Sequence, residues 1–183
     1  MPAIGTDPVR TLFTFLDADR DGVLGWGDYH HLAERLVQHY GLSDGAYETI
    51  ALRSAYTLYW RALLAGGDGS EQVDEKTFFI AHCLTDPGPV FRALNGIVHA
   101  ALTIAGAGPE NRVTDMECHQ LLTTLGVAAP AAAQAFVWLD SDNDGKVGCA
   151  EFVRAAEGFF LLRDHSAPGA VLFGLYEPPP PPP

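Results

Sequence analysis

Residues 140–151 read DSDNDGKVGCAE, with acids at positions one, three and five, glycine at six and glutamate at twelve. Alternating acids around a glycine turn, closed by a distant carboxylate, wrap a short segment around one point and aim its oxygens inward. A hard divalent cation takes six to eight oxygens. Asp140, Asp142 and Asp144 each offer a carboxylate, the Lys146 carbonyl a neutral oxygen, and Glu151 two more. Gly145 suits the positive φ of the chain reversal. Val147, at position eight, is placed for a short β contact with a partner loop, and Gly148, without a side chain at position nine, leaves that corner to water. An acidic turn that only capped a helix would need neither the alternation nor the distant glutamate. The donor set points to Ca2+.

The pattern recurs at residues 17–28 as DADRDGVLGWGD. Asp17, Asp19 and Asp21, the Val23 carbonyl and Asp28 take the ligand positions, with Gly22 at six and Leu24 at eight. Asp28 is one methylene shorter than glutamate and reaches less easily around an ion with both oxygens. A smaller, six-coordinate site favours Mg2+, so this loop is expected to hold weak calcium, magnesium or a mixture. Two further loops align through a hydrophobic position eight. Residues 66–77, aligned on Val73, keep only Asp68 and Asp74 as useful acids. Residues 106–117, aligned on Val113, begin with glycines at positions one and three and keep Glu110 and Glu117. Neither is expected to bind calcium at ordinary concentrations. Their expected role is pairing, Leu24 with Val73 and Val147 with Val113.

Between these loops the apolar residues recur at helical spacing. Val9, Leu12, Phe13 and Leu16 lead into the first loop, and Trp26, Tyr29, Ala33, Leu36, Val37 and Tyr40 follow it. The longest segment, about residues 44–65, carries Tyr47, Ile50, Ala51, Ala55 and Leu58 on one face and Leu52, Tyr56, Tyr59, Trp60 and Leu63 on another, so burial on both faces is expected. Further helices are predicted at about residues 74–84, 89–105 and 114–125, one opening at Pro130, and one from Cys149 with Phe152, Val153, Ala156, Phe159 and Phe160 inward. No segment has a strand period. Residues 84–89, LTDPGP, break any helix and separate two similar halves. The expected organisation is residues 1–84 with one metal loop and one degenerate loop, residues 89–165 with the reverse order, and an apolar tail with a polyproline end at 166–183.

A net charge of −12 repels nucleic acid and anionic membranes and draws cations, and 48% hydrophobic residues are enough for a core. Divalent cations are therefore the expected partners, with no nucleic acid and no membrane. Three cysteines, Cys83, Cys118 and Cys149, make neither a disulfide framework nor a zinc cluster. With no basic and apolar leader at residues 1–8, a cytoplasmic monomer is expected. Of seven histidines only His30 and His31 are close in sequence, which favours solvated or core roles over a metal site. Nucleophile elbow, phosphate loop and metalloprotease motifs are absent, so no enzyme is expected. The cluster Tyr56, Tyr59 and Trp60 reads as core, with a small-ligand cavity as the alternative.

At its two acidic loops the chain resembles the EF-hand superfamily, and its whole length looks like the sarcoplasmic calcium-binding protein and calerythrin type of invertebrates and bacteria. The early first loop at Asp17, the long helix entering a metal-free second loop, the compact gap between halves and the apolar tail after the fourth loop carry that likeness. It implies an all-α fold of four helix-loop-helix units in two paired lobes, compact, with two-residue β contacts between paired loops. It also implies a calcium buffer or signal modulator whose tail, with Val171, Leu172, Phe173, Leu175 and Tyr176, fills the space between halves. The family keeps metal in three loops; with the first ligands of residues 106–117 lost, two sites are expected here. A sensor with a protein target, and a photoprotein-like binder of a small apolar molecule, are the alternatives. Sensors of that kind expose a Met-rich groove, and only Met1 and Met116 occur here.

Overall fold

The computed structural model describes residues 8–65, 69–83, 88–106 and 110–161. In chain order the elements are α1 (Pro8–Leu16), β1 (Val23–Leu24), α2 (Trp26–His39), α3 (Tyr47–Leu64), β2 (Val73–Asp74), α4 (Glu75–Cys83), α5 (Gly88–Ile104), β3 (Arg112–Val113), α6 (Asp115–Leu125), α7 (Ala129–Leu139), β4 (Val147–Gly148) and α8 (Cys149–Leu161). Among the described residues the chain is mostly helical, with two small antiparallel strand pairs. The expectations for the tail at 166–183, and for the side chains of Phe159 and Phe160, lie outside the described residues.

Local chemistry sets the helix boundaries. Val9, Leu12 and Phe13, at i, i+3 and i+4, are buried on one side of α1. Pro130 sits in the first turn of α7, where its missing N–H costs nothing. Gly126 stops α6 with φ 104°, a left-handed cap that disfavours any side chain. A Cβ there would also lie 2.9 Å from Arg35 Nη1.

β1 pairs antiparallel with β2, Leu24 opposite Val73, and β3 pairs antiparallel with β4, Val113 opposite Val147. This is the register that position eight implied. All four residues are fully buried.

The long third helix departs from its reading. It starts at Tyr47 rather than Asp44, because Ala46 N–H bonds the Ser43 carbonyl in a turn and the Asp44 carboxylate is taken by Arg53 at 2.8 Å. One of its apolar faces is buried throughout, the other only at Ala55. Leu52, Tyr56, Tyr59, Trp60 and Leu63 are inside, whereas Tyr47, Ile50 and Leu58 are 79%, 54% and 59% exposed. Periodicity marks which residues could be buried, and only a packed neighbour decides which are.

Both halves feed one core cluster, from Val9 to Ala156. α3 packs along α5, and α2 meets α6. At the second contact Arg35 Nη1 donates to the Leu125 carbonyl at 3.3 Å, and His39 Nε2 lies 2.8 Å from Gln120 Nε2. Within the N-terminal half the rings interlock. Phe13 meets Phe78 edge-on at 5.9 Å, and Tyr29 meets Tyr59 at 5.5 Å and Trp60 at 5.4 Å. His82, fully buried among them, has Nδ1 2.8 Å from the Phe78 carbonyl. A carbonyl only accepts, so Nδ1 carries the proton and Nε2 accepts from the Tyr59 hydroxyl at 2.9 Å. Burial pushes this histidine down to about 4. It is a satisfied core residue, as expected for an isolated histidine.

Candidate metal centre

Each acidic loop runs from the end of one helix to the first turn of the next, and both hold their carboxylates with backbone N–H groups. In the first, Asp17 Oδ1 accepts from Asp21 N–H at 3.1 Å and Oδ2 from Gly22 N–H at 3.0 Å. In the second, Asp140 accepts from Asp144 and Gly145 N–H, both at 3.0 Å. Positions four and six are left-handed in both loops: Arg20 and Gly22 at φ 60° and 86°, Asn143 and Gly145 at 55° and 81°. These bonds and turns gather Asp17, Asp19 and Asp21 so that one oxygen of each lies within 4.8 Å of the others, and Asp140, Asp142 and Asp144 likewise.

The position-twelve acids stand outside those groups of three, tied to the loop backbone. Asp28 accepts from Ala18 N–H at 3.1 Å and Gly25 N–H at 2.8 Å. Glu151 accepts from Ser141 N–H at 3.0 Å and Gly148 N–H at 2.9 Å. Asp28 thus makes the same pair of contacts as Glu151 despite its missing methylene. Val23 and Lys146 contribute position seven, each N–H donating to the position-five carboxylate at 2.9 Å. Burial and Tyr59, with Asp28 after them, hold the neighbouring Tyr29 phenol well above its ordinary value, so it stays neutral beside the first loop.

Charge distribution tests the fit to a cation. Asp17, Asp28, Asp140 and Glu151 are buried, and among the described residues none of the four forms an ion pair. Buried carboxylates without a cation are costly, and a hard divalent ion removes that cost. The oxygen-only donor set fits calcium.

Two features of the second loop were not read from the sequence. Arg112, in the ligand-poor loop across the strand pair, bonds Asp144 through Nη1 and lies 3.5 Å from Asp142 through Nη2. Lys146 returns a contact, its Nζ 3.2 Å from Glu110. The Arg112 stem lies against Gly148, its Cγ and Nε each 3.4 Å from where an added Cβ would sit. The available signal was a glycine directly opposite a long cation in the paired register.

Residues 1–36 and 135–158 match the EF-hand domain pair family, and these stretches contain the two acidic loops. Calerythrin of Saccharopolyspora erythraea is 24% identical over 167 residues, covering 88% of this chain and 94% of that protein. The chain is similar to calerythrin over most of its length, and both of its acidic loops fall in stretches that match the EF-hand domain pair. Among solved structures, a calcium-binding protein of Streptomyces coelicolor, described in the context of calcium-mediated regulation, is 27% identical with a TM-score of 0.73, covering 84% of this chain and 95% of its own. The photoprotein clytin shares the fold, with a TM-score of 0.71 at 17% identity over 91% of this chain and 90% of its own. Calcium is the cofactor that the two acidic loops and the family match imply. Among the described residues no helix is long and apolar enough to cross a membrane.

Proposed function

We propose that the chain is a calcium buffer or signal modulator with one ion in each half. Asp17, Asp19, Asp21, Asp28 and the Val23 carbonyl would hold the first ion, and Asp140, Asp142, Asp144, Glu151 and the Lys146 carbonyl the second. The observation that carries the reading is the shared core. The apolar faces of α3 and α5, which a sensor would open toward a target, are packed on each other. The loops at residues 66–77 and 106–117 serve as pairing partners, and the two helix-loop-helix pairs as lobes. The loop at residues 140–151 is the tighter, in the roughly 10⁻⁷–10⁻⁵ M range for calcium, and the loop at 17–28 is shared with magnesium.

Calorimetric titration combined with hydrophobic-dye binding, with calcium and with chelator, tests this. Two divalent sites and unchanged dye binding are expected. A large calcium-dependent rise in dye binding would make the protein a sensor. A second reading, a small apolar ligand, is favoured by a cavity of about 170 Å³ between the halves, lined by Tyr29, Tyr56, Tyr59, Leu94, Ile97 and Leu122 among others. Dry apolar cavities of roughly this size admit a single aromatic ring. Mass spectrometry of the protein purified without denaturation decides it, by presence or absence of a bound apolar molecule.

A further inference from the structure

Position seven of an EF-hand loop gives the ion only its carbonyl, which leaves the side chain free for another task. In the C-terminal half, position seven of the ligand-poor loop is Arg112. The β3–β4 register places it opposite Gly148, position nine of the acidic loop. The absence of a Gly148 side chain makes room for the arginine stem, with Cγ and Nε 3.4 Å from where a Cβ would be. The guanidinium lands on Asp144 and Asp142, the position-five and position-three acids. In the N-terminal half the corresponding position seven is Gln72, which shares a surface recess with Asp19, Asp21 and Asp28 and carries no charge.

We propose that Arg112 is a tethered counter-ion that sets the calcium affinity of the loop at residues 140–151. It neutralises part of the acidic cluster before the ion arrives, so calcium enters by displacing a cation already bound to the chain. The inference rests on the proposal that this loop holds calcium. Coupling between the two cations is reciprocal: calcium loosens Arg112 by the same factor by which Arg112 weakens calcium. The arginine is 31% exposed and its partners 59% and 36%, so water screens the pairs and the coupling is modest, roughly two- to ten-fold in Kd. Because one tethered charge is exchanged for the incoming one, the affinity also depends less on salt than it would with bare acids.

The test is calorimetric calcium titration of the full chain at several ionic strengths, for the wild type, Arg112→Gln, Arg112→Lys and Glu151→Gln, with the melting temperature of each calcium-free protein. Glu151→Gln identifies the site by silencing it. Arg112→Gln, which installs the residue of the other half, is expected to tighten that same site about two- to ten-fold, to steepen its salt dependence and to lower the calcium-free melting temperature. Arg112→Lys is expected to restore most of the wild-type behaviour. The reverse exchange, Gln72→Arg, should weaken the loop at residues 17–28 by a similar factor. An unchanged or weakened site in Arg112→Gln, alongside a site lost in Glu151→Gln, would overturn the counter-ion and leave the metal assignment standing. If Glu151→Gln removes no site, the metal assignment fails and Arg112 falls with it.

Discussion

The acidic loops of the two halves follow the same turns and differ in what surrounds them. Both put left-handed residues at positions four and six, and both tie the position-twelve carboxylate to the N–H groups of positions two and nine. Around the first loop the nearest position-seven side chain from the partner loop is the neutral Gln72; over the second lies the Arg112 guanidinium, with Lys146 and Glu110 paired beside it. A loop that has lost its own ligands can therefore still act on metal binding through the charge it presents to its neighbour. Counting ligands along one loop omits that contribution.

The largest expected difference between the halves is at position twelve. Glu151→Gln should cost the second site ~100-fold or more in calcium affinity, and Asp28→Asn should cost the first site less, because only glutamate has the reach for two oxygens. Equal losses by calorimetry would mean that the missing methylene does not matter, a result Asp28's identical backbone contacts leave open.

Next comes pH, through a buried histidine that the N-terminal half has and the C-terminal half lacks at the matching position. His82 follows position twelve of its loop by five residues, and the same step from Glu151 reaches Ala156. The histidine is held near 4 when folded by burial and titrates near 6.5 when unfolded. Between those values the unfolded chain takes up a proton that the folded chain does not, so stability falls as pH drops from about 6.5 toward 4. The loss is on the order of 3 kcal/mol. His82→Gln should flatten this slope in calcium-free denaturant titrations at pH 7 and pH 4.5, and an unaltered slope would assign it to other groups.

Asp28→Glu sharpens the contrast in the other direction, raising the calcium-over-magnesium preference of the first loop by about ten-fold in competition titrations. The smallest effect is expected at position four. Arg20 holds φ 60° where the second loop has Asn143, a residue that tolerates the left-handed region better. Arg20→Asn should stabilise the chain by about 0.5–1 kcal/mol in chemical denaturation, with no change in the second site.

Much of this architecture was legible because its signals are local and periodic. Glycine at position six, alternating acids and an apolar position eight each follow from a requirement of a single loop, so both acidic loops and both strand registers could be read one residue at a time. What was missed depends on neighbours. Tyr47, Ile50 and Leu58 have the spacing of a buried face, yet no packed element covers them among the described residues. Arg112 sits in a loop that sequence reading set aside for lack of ligands, and its contact with Asp144 exists only once β3 and β4 pair. Composition likewise could not show that His82 would find both a carbonyl and a phenol inside the core.

Helix α2 begins in the first acidic loop and ends on α6, where His39 meets Gln120. Its 14 residues make a rod of about 20 Å that touches both halves. An ion held in the first loop would also quiet the helix leaving it, and with it part of the surface on which the second half rests, so that a second ion would have less motion left to arrest. Cooperativity of this kind needs no change of shape and would appear only as a Hill coefficient above one.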